Sequence, residues 1–552
     1  MGIQTLGLID RQTESSDFEI IQPATTHSGA PIRVVPKGLP KNTKSLCPEC
    51  KRIIDAVMSE DEQGRVIMEK TCPAHGDFSD IIYSDAKLYL KMEDWSFGDN
   101  RGITNPAVPN ATECPTDCGI CSMHTSHTAL ANVDLTNRCN LTCPICFANA
   151  NVAGYLYEPN LDQIRIMLKA LRDERPVACR IVQFSGGEPT VAHHWFDALR
   201  MAKEMGFSHI QCASNGIKFA DLEFAQKSHE AGLHTIYLQF DGVTDDIYLR
   251  TRGRALMELK VKAIENIAKA GMKICFVPTI VKGLNNHQVG DIVRYAIDNI
   301  HVVSAISFQP VAFTGRINRR ELEQKRYTMS DFAHDVHRQT DICDPYNDWF
   351  PLGFVAPFSR LLGAVRGEET VTLTPHPHCS LGTYLFVDQN KQATPVTRFI
   401  DVQGMMQDMD LLARKAEKAS VKMFSQLGAW NSLRKRFNEG RAPEGLTFTR
   451  FLQTLQGFVD KKYGRGENEK QGFTFKTLMV AGMHFQDLYN YDVERVKRCV
   501  IHYAAPDGKL YPFCAYNSGP TFREQIEKQF SVPFTPANGQ GTCGGQSSCG
   551  GC

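Results

Sequence analysis

Three cysteines stand close together in the stretch Cys139-Asn-Leu-Thr-Cys143-Pro-Ile-Cys146, and their C-x3-C-x2-C spacing limits what this chain folds into. An iron–sulfur cluster is normally held by four thiolates. Three close thiolates with no local fourth leave one iron open, much as a catalytic metal site keeps a position for substrate. A structural zinc knuckle is the alternative, but zinc sites prefer paired C-x2-C elements brought together from two places. The spacing therefore favours a cluster with one open iron.

The cysteine content supports metal binding. Nineteen cysteines in 552 residues are many for a chain whose N-terminus lacks the basic and apolar layout of a signal peptide. Without a secretion signal, clustered cysteines indicate metal ligands rather than disulfides. The formal net charge of zero argues against a nucleic-acid partner, and no apolar run is long enough to cross a bilayer. These features predict a cytoplasmic, oxygen-sensitive metalloprotein.

An N-terminal unit carries a second set of soft ligands. Two short alternating segments separate Cys47-Pro-Glu-Cys50 from Cys72-Pro-Ala-His75, which predicts two knuckles joined by a hairpin. Such a unit is typical of zinc ribbons and rubredoxins. A Cys3His zinc site and a mononuclear iron site with a distant fourth ligand are both compatible with the spacing.

The C-x3-C-x2-C spacing also occurs 25 residues before Cys139, at Cys114, Cys118 and Cys121. The two triplets differ in what precedes them. The apolar, partly alternating stretch Leu130–Thr136 predicts a strand that carries Cys139 just past its C-terminal end, whereas the earlier triplet follows a loop rich in proline and asparagine. We therefore interpret the earlier triplet as an auxiliary cluster. Two histidines follow that triplet and are interpreted as surface or core residues: His124 and His127.

From residue 130 to about residue 315, strand-like and helix-like segments alternate without a break. Six predicted strands joined by five predicted helices indicate a parallel sheet, either doubly wound or closed into a partial (β/α)6 barrel. The strands are predicted at Leu130–Thr136, Cys179–Phe184, His209–Ala213, Thr235–Phe240, Lys273–Ile280 and Ala305–Pro310. The helices are predicted at Leu161–Asp173, Trp195–Met205, Asp221–Ala231, Met257–Ala270 and Val289–Ile300.

Ligands of such barrels gather at the carboxyl ends of the strands. Glycine pairs there let the backbone approach a ligand closely, and an arginine is a natural partner for a carboxylate. Residues suited to ligand binding follow successive predicted strands: Ser185, Gly186, Gly187, Glu188 and Pro189; Ser214 and Asn215; Gln239 and Asp241, then Arg250 and Arg252; and Thr279 and Val281. Each motif alone predicts only a turn, whereas their ordered occurrence after the cysteine loop predicts one site.

Single cysteines return after residue 315. Cys499 and Cys514 flank an Ala-Pro-Asp-Gly turn, which predicts a hairpin that brings both thiols close. With Cys379, and with Cys343 as a possible fourth member, they are candidate ligands of a further cluster; burial as small apolar side chains is the alternative. The Gly- and Ser-rich end contains Cys543, Cys549 and Cys552, for which metal binding, thiol exchange and no role all stay open.

The cysteine loop and the strand-end motifs resemble the radical S-adenosylmethionine (radical SAM) superfamily. The resemblance implies that SAM chelates the open iron and that its reductive cleavage gives a 5′-deoxyadenosyl radical. It also implies that the Gly-Gly-Glu motif contacts the amino group of SAM, that Ser214 and Asn215 reach the ribose, and that the Thr279–Val281 segment supports the adenine. The residue before the third cysteine is usually aromatic in the family. Here it is Ile145, with Phe147 as a possible replacement.

The ordered chain from about Cys47 to Asn517 is similar to the tetraether lipid synthase group. The resemblance is carried by CPEC and CPAHG, by the CPTDCGIC segment that leads into DLTNRCNLTCPICFA, and by the TPHPHC, IHY and PFC segments. That resemblance implies carbon–carbon coupling of two long lipid chains, an external ferredoxin- or flavodoxin-like electron donor and peripheral membrane contact. It also implies 4Fe–4S clusters at the auxiliary cysteines and a rubredoxin-like iron at Cys47, Cys50 and Cys72. Two other functions stay open: radical SAM modification of a cofactor precursor such as a pterin or of a peptide, and non-catalytic electron transfer.

These observations predict a partial (β/α)6 barrel with a small N-terminal metal-binding domain and a C-terminal α+β iron–sulfur region. The expected boundaries are a flexible lead-in at 1–45, the metal domain at 46–100, the auxiliary segment at 101–128, the barrel at 129–315, the C-terminal region at 316–517 and a flexible tail at 518–552.

Overall fold

The structure is a computed structural model of the full chain. It describes residues 25–26, 29, 36–95, 102–148, 150–151, 153–314, 322–418, 423–459, 475–519 and 522–533. The three cysteines of the predicted C-terminal tail lie outside the described residues.

The N-terminal unit is an antiparallel four-stranded sheet followed by one helix. Its elements are β1 (Lys41–Leu46), β2 (Ile53–Glu60), β3 (Val66–Cys72), β4 (Gly76–Tyr83) and α1 (Ala86–Met92). The predicted hairpin is confirmed as β2–β3. The predicted lead-in ends too late, because Lys41–Leu46 pairs with β2 as an edge strand and so belongs to the metal-binding unit.

The central region alternates strand and helix as predicted. It contains β5 (Leu130–Thr136), β6 (Tyr155–Leu156), α2 (Leu161–Asp173), β7 (Ile181–Gly186), α3 (Trp195–Glu204), β8 (His209–Ser214), α4 (Leu222–Glu230), β9 (Thr235–Gln239), α5 (Asp245–Arg252), α6 (Met257–Lys269), β10 (Lys273–Val277), β11 (Thr279–Ile280), α7 (Val289–Asp298) and β12 (Val303–Pro310). Strands β5, β7, β8, β9, β10 and β12 are parallel neighbours in that order, which confirms the partial barrel.

Alternation along each strand separates two environments. On β5, the side chains of Ala131, Val133 and Leu135 enter the main hydrophobic core, and on β7 so do Val182 and Phe184. Successive side chains of a strand point to opposite faces. The intervening residues of β5 and β7 therefore face the barrel interior, where several of them are polar.

The C-terminal region extends the same sheet at both edges. Its elements are α8 (Leu322–Lys325), α9 (Met329–Thr340), α10 (Ala356–Arg366), β13 (Ser380–Val387), β14 (Ala393–Pro395), α11 (Val402–Lys418), α12 (Met423–Arg436), α13 (Phe448–Val459), β15 (Lys476–Met483), α14 (Val493–Lys497), β16 (Ile501–Ala504), β17 (Leu510–Pro512), α15 (Phe513–Ser518), α16 (Phe522–Gln529) and β18 (Val532–Pro533). Strand β15 adds parallel to β12, and β16 adds parallel to β5.

This arrangement corrects two of the expected boundaries. The region 316–517 completes the barrel sheet instead of forming a separate unit, because β15 and β16 pair directly with barrel strands. The predicted flexible tail also begins too early. Helix α16 is ordered by Arg523, whose guanidinium pairs with Asp134 on β5 at 2.6 Å and with Glu527 at 3.0 Å. Within the described part of the chain, no helix combines the length and apolar character needed to cross a bilayer.

A buried charge triad ties the N-terminal unit to the rest of the fold. Arg326 is fully buried and pairs with Asp80 on β4 and with Asp487, which lies 2.8 Å from the guanidinium. Asp487 also accepts a hydrogen bond from the backbone N–H of Phe313 at 2.8 Å. Since taking charges out of water is costly, the triad is stable only with every partner in place.

We expect Arg326→Met to lower the free energy of unfolding by about 3–5 kcal/mol, because it leaves two buried carboxylates without a cation. Urea titration of the anaerobic holoprotein, followed by circular dichroism, measures the change. The matched control is Arg200→Met, since Arg200 and its partner Asp197 are both exposed at the surface. The control is expected to cost no more than about 1 kcal/mol. Equal losses in both variants would contradict the structural role of the triad.

Candidate active site

The cysteine loop begins directly after β5. The thiols of Cys139, Cys143 and Cys146 are all half-buried and line one cavity at the carboxyl ends of the barrel strands. Burial raises the pKa of Cys139 to about 12, so its thiolate needs a nearby positive charge to form. A bound metal cluster supplies such a charge. Three converging thiols of this kind fit the predicted cluster.

A side chain from outside the loop fixes its backbone. The amide of Asn151 accepts a hydrogen bond from Cys139 N–H at 2.9 Å and donates to the carbonyls of Cys139 and Leu141 at 2.9 and 3.1 Å. The backbone N–H of Ala150 donates to Cys146 Sγ at 3.4 Å. These contacts hold the loop in a shape that keeps the three thiols on one side.

Arg252 connects the loop to the strand ends. At the last residue of α5, its guanidinium forms a two-pronged pair with the buried carboxylate of Asp241, at 2.5 and 2.9 Å. The same guanidinium donates to the carbonyl of Ile145, inside the cysteine loop, at 3.1 Å. Its positive charge also opposes the effect of burial on the pKa of Cys143. Arg252 also lines the cavity, and its role as the partner of a ligand carboxylate stays a prediction.

The two glycines of the Gly-Gly-Glu motif serve the cysteine loop as well as the cavity. A Cβ on Gly186 would lie 2.2 Å from the carbonyl oxygen of Thr136, and one on Gly187 would lie 2.2 Å from that of Arg138. Gly187 N–H donates to Thr136 O, and Glu188 N–H donates to Arg138 O, both at 2.8 Å. Glycine is needed here because two backbones touch, a reason that the sequence motif alone does not reveal.

Glu188 organises the next strand end. Its buried Oε1 accepts hydrogen bonds from Thr190 Oγ1 at 2.6 Å and from Ser214 Oγ at 2.8 Å, while Oε2 accepts from Asn215 N–H at 2.8 Å. Burial raises the pKa of Glu188, and these donors oppose that rise. A carboxylate oxygen can accept a second bond. Glu188 Oε2 therefore retains capacity for a ligand ammonium group.

Most predicted strand-end residues line the cavity, and four do not. The residues on its wall are Phe147, Ser185, Gly186, Gly187, Glu188, Ser214, Asn215, Gln239, Arg252 and Thr279. Arg250 is corrected first: it is exposed on α5, because two helical residues place it on the side opposite Arg252. Val281 packs with Val311 and Phe313 in a separate apolar cluster. Pro189 is buried at the start of a short turn. Asp241 is buried outside the cavity wall and forms an ion pair with Arg252.

Several cavity residues were missed by the sequence reasoning. The barrel interior contributes amide and hydroxyl side chains, and the C-terminal region contributes an aromatic wall. These residues are Asn132, Gln183, Tyr237, Gln309, Phe485, Tyr503, Phe513 and Arg523. Polar residues at alternate positions within buried strands are the signal for the first group. The cavity holds about 260 Å³, just below the range of roughly 300–1,000 Å³ that is usual for small-molecule sites.

The N-terminal ligands form a site for a single ion. Cys50 Sγ lies 3.9 Å from Cys72 Sγ, and His75 Nδ1 lies 3.6 and 3.5 Å from the sulfurs of Cys47 and Cys72. Zinc bonds of about 2.3 Å to sulfur and about 2.0–2.1 Å to nitrogen place tetrahedral ligand atoms about 3.5–3.8 Å apart. The four side chains thus fit a closed Cys3His site. His75 supplies the fourth ligand, and a distant one is not needed.

The C-terminal thiols gather around one arginine. Arg495 Nε donates to Cys379 Sγ at 3.5 Å. Burial raises the pKa of Cys514, and the positive charge of Arg495 opposes that rise. Burial raises the pKa of Cys499, and repulsion from the thiolates of Cys514 and Cys379 adds to that rise, which indicates that the three sulfurs lie near one another. Cys114 and Cys118 pack against the same small apolar cluster as Cys514, so the two predicted auxiliary sets are neighbours.

Cys343 is corrected as a ligand candidate. It is fully buried in the main hydrophobic core, and the charges that affect it belong to Asp348, Arg398 and Asp344 rather than to another cysteine. His124 and His127 are core residues, in agreement with their interpretation. His124 Nε2 lies 2.8 Å from the carbonyl of Cys499, and His127 Nε2 accepts from Thr372 N–H at 2.7 Å.

Two segments of this chain match known protein families, and a known protein matches most of its length. Residues 133–296 match the Radical SAM superfamily, and residues 39–84 match the HMPTM N-terminal zinc ribbon domain. A 7,8-dihydro-6-hydroxymethylpterin dimethyltransferase from Methanocaldococcus jannaschii is 42% identical over 498 residues, which cover 90% of this chain and 96% of that protein.

More distant similarity is confined to part of the chain. A GTP 3′,8-cyclase from Limosilactobacillus fermentum is 25% identical over 216 residues, covering 38% of this chain and 61% of the cyclase. The crystal structure of SuiB from Streptococcus suis superposes with a TM-score of 0.32 and 19% identity, over 39% of this chain and 46% of SuiB.

The grouping of thiols makes a prediction about metal content. We expect Cys379→Ala to remove about four iron atoms per chain, the content of one 4Fe–4S cluster, because one of three gathered ligands is lost. Cys343→Ala is the matched control and is expected to retain all its iron. Iron and zinc are measured by plasma emission spectrometry on anaerobically purified protein, with electron paramagnetic resonance to identify the clusters. Iron loss in the control instead would restore Cys343 as a ligand.

Proposed function

The chain belongs to the radical SAM superfamily, in the family of the M. jannaschii pterin dimethyltransferase, and we propose that it methylates a reduced pterin. The observation that carries this proposal is the 42% identity over 90% of the chain, which includes both the zinc ribbon and the barrel. Such enzymes take their reducing electron from an external donor.

The predicted coupling of two lipid chains is contradicted by this relative, which is a pterin dimethyltransferase. The resemblance to the tetraether lipid synthase group rested on segments spread along the chain, and the match to the pterin enzyme extends over 90% of that same chain. The long-chain lipid substrate therefore loses its basis. The expected peripheral contact with a membrane followed from that substrate and has no other support.

A pterin suits the chemistry of the cavity. The ring is flat and carries amide-like donors and acceptors along one edge. The cavity offers an aromatic wall in which the rings of Phe485 and Phe513 stack at 3.9 Å, with Phe147 5.4 Å from Phe513. It also offers the amides of Asn132 and Gln309. Flat aromatic ligands prefer stacked or edge contacts with such rings, and amides give the orientation.

The residues of the chain have distinct tasks in this reaction. When bound, the cluster and SAM supply a 5′-deoxyadenosyl radical that abstracts hydrogen. Cys139, Cys143 and Cys146 would hold the cluster, and Glu188 and Arg252 would orient the amino and carboxylate groups of SAM. The stacked aromatic side chains of Phe485 and Phe513 would exclude water from the cavity. Fixed geometry matters because a misplaced reactive atom lowers the rate steeply.

The proposal is tested by supplying anaerobically reconstituted protein with SAM, a strong reductant and 7,8-dihydro-6-hydroxymethylpterin. We expect 5′-deoxyadenosine together with a pterin that carries one or two added methyl groups, detected by mass spectrometry. Deuterium in the SAM methyl group shows whether SAM donates the methyl, and a parallel assay with a reduced folate that carries a one-carbon unit supplies a second donor. Formation of 5′-deoxyadenosine with unchanged pterin in both assays would contradict the proposed substrate, and absence of both products would favour an electron carrier.

We expect Cys143→Ala to abolish both products, because two thiolates do not hold the cluster in place. The matched control is Cys179→Ser. The Cys179 thiol is buried away from the cavity and donates to the carbonyl of Ile181 at 3.3 Å, a bond that a serine hydroxyl can keep. Undiminished turnover in Cys143→Ala would contradict the assignment of the cysteine loop.

A further inference from the structure

Three amide side chains form a row across the barrel interior. Asn132 on β5 is paired in register with Gln183 on β7, and Gln183 is paired with Gln211 on β8. Neighbours at the same level of a parallel sheet lie close enough for their side chains to interact. All three are buried, with exposed fractions of 1%, 7% and 8%. The row therefore forms one layer of the barrel interior.

The hydrogen bonds in this row run in one direction. Gln211 Nε2 donates to Gln183 Oε1 at 2.7 Å, and Gln183 Nε2 donates to Asn132 Oδ1 at 2.8 Å. Each bond fixes the orientation of the next amide. Because Oδ1 of Asn132 is the acceptor, its NH2 group must point away from Gln183.

That NH2 group has no partner. Asn132 Nδ2 is a buried atom with no hydrogen-bond acceptor, and the residue Asn132 lines the cavity. Among the described residues with such buried, unpartnered side-chain atoms, Asn132 is the one that lines this cavity. Buried amides are nearly always hydrogen-bonded. The row thus ends in an unpartnered donor on a residue of the cavity wall.

The surroundings of Asn132 restrict the ligand further. Its register partner on the other side is Tyr503 on β16, whose ring stacks on Tyr516 with a centroid distance of 4.3 Å and lies 5.3 Å from Phe513. The nearby carboxylate of Asp134 is already engaged, because it accepts from Ser185 Oγ and Arg523 at 2.7 and 2.6 Å. The open position suits a flat ring that presents a neutral acceptor.

We propose that Asn132 recognises the ring carbonyl of the pterin, and that Gln183 and Gln211 hold its amide in the donating orientation. Asn132 is then a specificity-determining residue, and the two glutamines are positioning residues. This inference rests on the proposed function, since it names how the same cavity would select a pterin. It predicts discrimination between a ring carbonyl, which accepts a hydrogen bond, and a ring amino group, which donates one.

The test exchanges hydrogen-bond donor and acceptor both on the ligand and on the side chain of residue 132. Binding of 7,8-dihydro-6-hydroxymethylpterin, and of the diaminopteridine analogue in which an amino group replaces the carbonyl, is measured by anaerobic calorimetry on the SAM-loaded holoenzyme. The wild type is expected to prefer the pterin. Asn132→Asp keeps the shape and the bond from Gln183 but offers an acceptor. It is expected to bind the pterin roughly 10- to 100-fold more weakly and to prefer the diamino analogue.

Two further variants separate recognition from folding. Gln183→Leu frees the Asn132 amide to rotate, and we expect it to lose the preference without reversing it. Asn266→Asp is the matched control, because Asn266 is buried outside the cavity and donates to the carbonyls of Phe219 and Ala220. It is expected to keep the wild-type preference whatever happens to its stability.

The outcomes distinguish this inference from the proposal on which it rests. A reversed preference in Asn132→Asp supports the role of Asn132. A wild type that binds the pterin while Asn132→Asp and Gln183→Leu both keep its preference overturns that role and leaves the proposed function standing. A wild type that neither binds nor converts a pterin overturns the proposed function and this inference with it.

Discussion

The ion pair between Arg252 and Asp241 is the interaction on which the candidate active site depends. Both side chains are nearly excluded from water, so the pair is stable only with good geometry and with its remaining hydrogen-bond sites filled. Both conditions are met. The pair is two-pronged, Asp241 also accepts from the backbone of Thr279, and Arg252 also donates to Ile145. Two strand ends and the cysteine loop are therefore fixed relative to one another before any cofactor binds.

The sequence was informative wherever local periodicity decides the structure. The six barrel strands and five of the barrel helices alternate in a way that only a parallel sheet satisfies, and the cysteine loop follows its strand as predicted. Two arginines separated by one residue were indistinguishable in the sequence. The pitch of α5 turns Arg252 inward and Arg250 outward, a distinction that depends on where the helix starts.

Closure of the barrel could not be predicted, because it depends on contacts between distant parts of the chain. Helix α16 falls within the segment that was predicted as a flexible tail. It is ordered because Arg523 reaches Asp134, 389 residues earlier, and stacks over Tyr503 and Tyr516. Similarly, the aromatic wall requires Phe485, after β15, to meet Phe513, after β17, although seven strands separate β15 from β17 in the sheet order. No local pattern encodes such a meeting.

The barrel interior shows why neutral amides suit this site. Burying an amide is unfavourable unless it is hydrogen-bonded, and the row from Gln211 to Asn132 satisfies that condition at every step but the last. Hydrogen abstraction by a carbon radical develops little charge, so a charged side chain would have little to stabilise in the transition state. What the reaction needs is a fixed distance between the radical and one C–H bond, with water excluded. A row of amides anchored in the sheet and facing an aromatic wall meets that need, because its orientation is set by the sheet's own register.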